Sequence, residues 1–258
     1  MSAVSQDETT TNAPVIDSLA KRLDESPTEG ALPMFMQIAE HVARQISAGH
    51  LAPDTKLPPE REMAANYNVA VGTLRKSLAR LTQMGLIARK QGSGNYISRT
   101  QGASGIYNFF RLELPKGGGL PSARLIDVVK LQKPDDLPEF GSSDVAIRFR
   151  RVRYLDDIPV ALEEIWLDGS CTDDVSHEQI SQSLYHYYQH HLGLIIAKAE
   201  DWISIAPPPK WHKAQSEDEA NEQMGFIERF GWSQHGNKIE YSRTWYAPSR
   251  ARYVSRLK

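Results

Sequence analysis

The run from Pro33 to Ser98 fits an amphipathic helix, a turn, two further helical segments and a glycine-centred hairpin into one short span, and few folds accept that order. In "PMFMQIAEHVARQISAGH" the apolar residues Phe35, Ile38, Ala39, Val42 and Ile46 recur at helical spacing, and Gly49 supplies a stop. After the turn "LAPDTKLPP", Pro59 suits the start of a second helix, and Glu60 and Glu62 fall where the helix dipole favours acidic side chains. "VAVGTLRKSLARLTQMG" then aligns Leu74, Leu78 and Leu81 on one face and closes at Gly85. The following "LIARKQGSGNYIS" reads as two short strands about Lys90, Gln91, Gly92, Ser93 and Gly94.

A formal net charge of −2 conceals an uneven distribution. Residues 1–32, polar and read as a loose extension, carry two basic and six acidic side chains, a balance of −4. Residues 33–99 carry nine basic and four acidic side chains, a balance of +5, which leaves −3 for the remainder. A basic segment inside an otherwise acidic chain suits a module that binds a polyanion. Two helices across a tight turn, the second opening on small polar and basic residues, suit a recognition helix in the major groove of DNA. The hairpin glycines let the backbone approach a phosphate or groove wall, as a wing does. The single cysteine, Cys171, excludes an internal disulfide framework and fits a reducing compartment. No apolar run of about 18 residues could span a bilayer, and "MSAVSQDETTTNAP" lacks a secretory signal's basic start and apolar stretch. The expectation is a cytoplasmic chain with no membrane partner.

The stretch "FMQIAEHVARQISAGHLAPDTKLPPEREMAANYNVAVGTLRKSLARLTQMGLIARKQGSGNYI" resembles the winged helix-turn-helix of the GntR family of bacterial transcription regulators. That resemblance implies operator contacts from Arg61 on the second helix, from Thr73 and Arg75 on the recognition helix, and from Gln91 and Gly92 on the wing. Lys76 joins them by its position beside Arg75. One departure is visible. Many members open the recognition helix with Ser-Arg-x-Thr, whereas this chain has Ala70, Val71, Gly72 and Thr73, so the usual arginine is missing and Val71 offers an apolar contact for a thymine methyl.

Beyond "SRTQGASG", which supplies a linker at residues 100–106, the texture changes to strands. "ARLIDVVKL", "VAIRFRRVRYL", "IPVALEEIWL", "AKAEDWISIA", "GFIERFGWSQ" and "KIEYSRTWYA" alternate or are rich in β-branched and aromatic residues. "YLDDIP" and "SQHGNKI" supply hairpin turns, and helices are expected over "HEQISQSLYHYYQHHLG" and "PPKWHKAQSEDEANEQM". The fold class is α+β: a winged helix-turn-helix over residues 33–99, then residues 107–258 as a mainly antiparallel sheet carrying a few helices. Within the second strand, Val145, Ile147, Phe149, Arg151 and Arg153 share one face, so the last two arginines continue an apolar surface. Arg148 and Arg150 lie on the other face, where a solvated or dimer-edge role is unremarkable.

This second part looks like the UTRA effector-binding domain of the HutC-type branch of the GntR family, whose fold is similar to chorismate lyase. The matching stretches include "GLPSARLIDV", "IRFRRVRYLDDIPVALEEIWL", "SLYHYYQHHLGLIIAKAED" and "KIEYSRTWYAPSRARY", while the usual "LxVxxGxP" is absent between "SIAPPP" and "QMGF". The resemblance implies a homodimer that binds double-stranded operator DNA and a small effector, with Arg151, Arg153, Glu163, Ser183, Tyr185 and Tyr246 lining the effector pocket and Asn108 capping a helix that faces it. Two guanidiniums can hold a phosphate, phosphonate or carboxylate through paired N–H donors, so the effector is expected to be anionic. The competing reading is that Arg151 and Arg153 pair internally with Glu163 or Glu164. His186, His190 and His191 lack further ligands at a recognisable spacing, so no metal and no cofactor is expected. The overall reading is an effector-responsive repressor, not an enzyme; the alternatives are a chorismate lyase-like enzyme fused to a DNA-binding module and a DNA-binding protein without an effector.

Overall fold

The computed structural model describes residue 16 and residues 33–47, 51–98, 109–119, 121–173, 175, 180, 184–212 and 222–255. Helix α1 (Met34–Ser47), helix α2 (Glu60–Asn66) and helix α3 (Val71–Gln83) pack around one apolar cluster that includes Ile38, Val42, Leu74, Leu78 and Leu81. The helical periodicity of the sequence thus becomes a three-way core. Gly85 ends α3 at φ +70°, a left-handed conformation that costs glycine little, and the Leu86 N–H returns to the Leu81 carbonyl. Strands β1 (Ile87–Lys90) and β2 (Gly94–Ile97) pair antiparallel from Ile87 opposite Ile97 to Lys90 opposite Gly94.

The second unit is a six-stranded antiparallel sheet. Its strands are β4 (Pro121–Gln132), β5 (Val145–Leu155), β6 (Ile158–Asp168), β7 (Ile196–Ala206), β8 (Met224–Ser233) and β9 (Lys238–Tyr246), in the order β4-β5-β6-β9-β8-β7. All six coincide with the alternating segments of the sequence. Two short strands, β3 (Leu112–Glu113) and β10 (Arg252–Tyr253), pair beside the sheet. Helix α4 (Leu184–His191) covers the inner face, where Tyr187 and Tyr188 bury their rings against Ile147 and Phe149. The other face buries Val152, Tyr154, Leu162 and Trp245 with Ile16, which is helical and fully buried, so the N-terminal extension is anchored at that residue at least.

Of the two helices expected in this unit, the first is present over α4, and its earlier residues fall mostly outside the described ones. The second falls largely on residues 213–221, outside the described ones; Lys210 and Trp211, at its expected start, form a turn after three successive prolines.

At the far end of β6, Asp168 is fully buried and holds the strand ends together. It accepts from Lys133 Nζ at 2.7 Å, from the Ser143 and Ser170 backbone N–H groups at 3.2 and 3.1 Å, and from the Ser170 hydroxyl. Gly141 passes so close that a Cβ there would fall 1.9 Å from an Asp168 carboxylate oxygen. Burial works against the Asp168 charge, but the Lys133 and serine bonds prevail and hold its carboxyl below the usual value. A depressed native pKa gives stability that is present above the unfolded aspartate value, near 3.9, and is lost as pH falls through the native one. Asp168→Asn is therefore expected to lower stability at pH 7 by about 3 kcal/mol and to flatten the acid limb of the stability profile, as measured by urea denaturation across pH.

Candidate functional site

The site begins with a matter of register. The β5–β6 hairpin turns through Asp156 and Asp157, both left-handed at φ 49° and 62°, the geometry of a two-residue turn that matches strand twist. Leu155 pairs with Ile158 and Tyr154 with Pro159, and that register, continued, would set Arg151 opposite Leu162. A bulge intervenes between Tyr154 and Arg153, whose partner is Ala161, and from there the pairing is shifted by one. Arg151 consequently faces Glu163 across the inner side of the sheet, and Arg150 faces Glu164 across the outer side.

On the inner side Arg151 donates to Glu163 at 2.6 Å, and Arg153 Nε lies 3.7 Å from the other oxygen of the same carboxylate. One glutamate therefore serves two guanidiniums. Phe110 covers Arg153, with the guanidinium carbon 4.2 Å from the ring centroid, and Arg153 Nε finds no hydrogen-bond acceptor among the described residues. Burial, reinforced by the charge of Arg151, pushes the Arg153 pKa down, although a guanidinium stays cationic at any physiological pH. Burial alone would raise the Glu163 pKa, yet Arg151 and Arg153 together hold it below the ordinary carboxylate value.

A third arginine completes the group. Arg229, on β8, lines the same cavity and is fixed by two bonds to Asp201 at 2.5 and 2.7 Å, which Tyr253 joins at 2.7 Å. Burial opposes its charge, and the Asp201 pair more than compensates, so its pKa stands above the usual value. Tyr185, from the first turn of α4, donates to Glu240 at 2.7 Å. Burial pushes the Glu240 carboxyl up against the pull of that hydroxyl and of Arg229. The cavity enclosed by these groups, Phe109, Phe110 and Glu40 leaves about 90 Å³ for water centres, room for several waters or a small polar molecule.

The outer face carries a second, larger cavity of about 470 Å³, walled by Trp166, Trp211, Phe226 and Trp245. Its arginines each have a carboxylate: Arg148 reaches Asp127 at 3.0 Å, Arg150 reaches Glu164 at 2.8 Å and Arg243 reaches Asp136 at 2.9 Å. Arg150 also stacks on Trp211 at 4.7 Å. Arg148 and Arg150 are thus neither solvated nor at a free edge: β5 runs between β4 and β6, Trp166 of the partner strand lies against Arg148, and Trp211 lies over Arg150. Size favours this cavity, but charge already balanced within it favours the inner one for an anion.

The structure places the expected residues unevenly. Arg151, Arg153, Glu163 and Tyr185 meet in the inner cavity. Tyr246 shares their face but lies beyond the cavity lining, over Gly225, where an added Cβ would come within 2.1 Å of the tyrosine ring. Asn108 and Ser183 lie outside the described residues. Arg229, Glu240 and Glu40 are members that the sequence reading missed; alternation on β8 and β9 put the first two on the inner face, but nothing local set them apart from ordinary strand charges. In the helical module, Arg61, Arg75, Lys76, Gln91 and Gly92 are exposed and Thr73 is half-buried. Arg75 is held by Glu60 at 2.7 Å, and Gly92 turns the wing at φ +72°.

Residues 36–97 match the family model described as bacterial regulatory proteins of the gntR family, and residues 117–252 match the UTRA domain. The HTH-type transcriptional regulator SmoD of Agrobacterium fabrum is 49% identical over 90% of this chain and 99% of its own length. The HTH-type transcriptional repressor NagR of Bacillus subtilis is 26% identical over 88% of this chain and 95% of its own. Among solved structures, the ligand-binding domain of a GntR-family regulator from Bordetella bronchiseptica shares the fold at TM-score 0.50 and 16% identity, covering 58% of this chain and 98% of that one. The chain belongs to the GntR family of transcription regulators that carry a UTRA domain, and it is an effector-responsive DNA-binding regulator. No helix among the described residues is long and apolar enough to cross a membrane.

Removing the shared carboxylate would leave Arg151 and Arg153 as two like charges under cover. Glu163→Gln is expected to cost about 3–5 kcal/mol in denaturant unfolding. Sulfate should restore part of that loss where chloride at equal ionic strength does not.

Proposed function

We propose that the inner cavity binds a small anionic metabolite, a phosphorylated, phosphonate or carboxylate compound, and that its binding alters the grip of a repressor on a pseudo-palindromic operator. One observation carries this reading: Arg151, Arg153 and Arg229 converge under aromatic cover, the first two share a single glutamate, and the buried Nε of Arg153 has no acceptor among the described residues. A buried cation is costly unless satisfied, and an anion supplies the acceptor that Arg153 Nε lacks among the described residues.

Arg61, Thr73, Arg75, Lys76, Gln91 and Gly92 are proposed to meet DNA. The Arg75–Glu60 bond is an exposed ion pair, worth little in itself, and Arg75 can exchange it for a phosphate or a base edge. Arg75→Ala is expected to weaken operator binding while leaving the affinity for an anionic ligand intact, and Arg153→Ala to remove anion binding and with it any effect of the anion on operator affinity. The two are separated by fluorescence anisotropy on operator DNA and by a thermal-shift screen of sugar phosphates, phosphonates and small carboxylates. Stabilisation by neutral or cationic compounds alone would remove the anion reading.

A pseudo-palindromic operator implies a homodimer. Its proposed interface is the edge of the sheet at β7, which pairs with β8 alone among the described residues and where Trp202, Ile203 and Ile205 are 56%, 50% and 73% exposed. Apolar side chains exposed on an edge strand are a surface that proteins ordinarily cover or charge. Replacing Ile203 and Ile205 together by glutamate is expected to halve the mass in sedimentation equilibrium.

A further inference from the structure

Glu40 lies on the side of α1 opposite Ile38 and Val42, the residues with which that helix packs on the rest of the DNA-binding module. A charged residue there would ordinarily face water. Instead Glu40 is only 7% exposed, and it lines the effector cavity together with Phe110, Arg151 and Arg153. The approach continues along the helix: α1 packs against β4, and Gln45 Nε2 lies 3.4 Å from where Gly118 would carry a Cβ. The charge of Glu40 is among those that favour the cationic form of Arg153 against burial.

We propose that Glu40 is an internal anion of this cavity, tying the first helix of the DNA-binding module to Arg153, and that an anionic effector dislodges it by taking the same guanidinium. This rests on the reading of the cavity as an anion site. Two anions crowded on one guanidinium under low-dielectric cover repel each other, so effector and Glu40 compete. Competition of this kind is a reciprocal coupling: whatever the effector does to the helix, the helix does to effector affinity. Because α1 shares its core with the recognition helix α3, release of α1 changes how α3 is held relative to the sheet.

The test is a cycle on the full chain of wild type, Glu40→Gln, Arg153→Gln and the double variant, each followed by thermal unfolding and titrated with glucose 6-phosphate and with inorganic phosphate. The tie predicts that the two melting-temperature losses are not additive, the second substitution costing little once the first is made. It also predicts that Glu40→Gln binds the anions at least about fivefold more tightly than wild type, the lower end of ordinary allosteric coupling. Additive losses overturn the tie, and so does an anion affinity unchanged by Glu40→Gln where wild type binds. Non-additive losses with no anion binding by any variant would leave the tie standing and remove both the competition and the anion reading of the cavity. Glu40→Asp, which keeps the charge on a shorter stem, separates a general loss of folding from loss of the carboxylate: it should retain part of the non-additivity.

Discussion

A bulge of one residue in the β5–β6 hairpin decides where four charges go. The Asp156–Asp157 turn fixes the hairpin end, and without the shift at Arg153 the ladder would pair Arg151 with Leu162 and Arg150 with Glu163. With it, each arginine meets a glutamate on its own face of the sheet. Directly opposed residues in a ladder project to the same side, and a slip of one exchanges every partner. Because a buried charge without its counter-charge is among the costliest features a fold can carry, this register is strongly selected among the ways the two strands could pair.

The same register makes the two faces chemically unlike. Outside, Arg148, Arg150 and Arg243 are each matched with a carboxylate and lie against the rings of Trp166, Trp211 and Tyr241 in turn, which gives a structural layer. Inside, Arg151 and Arg153 share Glu163, and Glu240 is driven toward its neutral form by burial. The inner face therefore gathers three guanidiniums, Arg153 among them with a buried Nε that has no acceptor among the described residues, in a place where water screens little. A site of that kind responds to an anion with stabilisation, and elements packed over it, the Phe109–Phe110 segment, α4 and α1, feel the change.

Much of this was legible in the sequence. Alternation named all six strands and placed Arg151 and Arg153 on the face of Ile147 and Phe149; helical spacing and the Gly85 stop gave α1, α2 and α3. Internal pairing with Glu163 and a role in an effector cavity are rival readings of the two arginines in the sequence; the structure shows the pairing, with Arg151 at 2.6 Å and Arg153 at 3.7 Å from one carboxylate, and sets both guanidiniums in the lining of the inner cavity. Other parts were hidden for physical reasons. Arg229 joins the cavity because β8 lies three strands from β5 in the sheet, beyond β6 and β9, though far along the chain, and no local pattern encodes strand order. Arg148 and Arg150 look like surface residues in the sequence because their cover comes from elsewhere: Trp166 from the partner strand for Arg148, and Trp211 from a segment far along the chain for Arg150. Glu40 reads in sequence as an ordinary solvated position on an amphipathic helix; only the packing of that helix on β4 turns it inward.

The central claim is that an anion is read by the inner-face guanidiniums, and a crystal structure of the protein with its stabilising ligand bound tests it most directly. The account predicts an acidic group of the ligand within hydrogen-bond distance of Arg153, with Arg151 or Arg229 on a second oxygen and the Glu40 carboxylate turned away. A ligand seated among Trp166, Trp211 and Trp245 on the outer face, or one that leaves all three inner guanidiniums untouched, would contradict it.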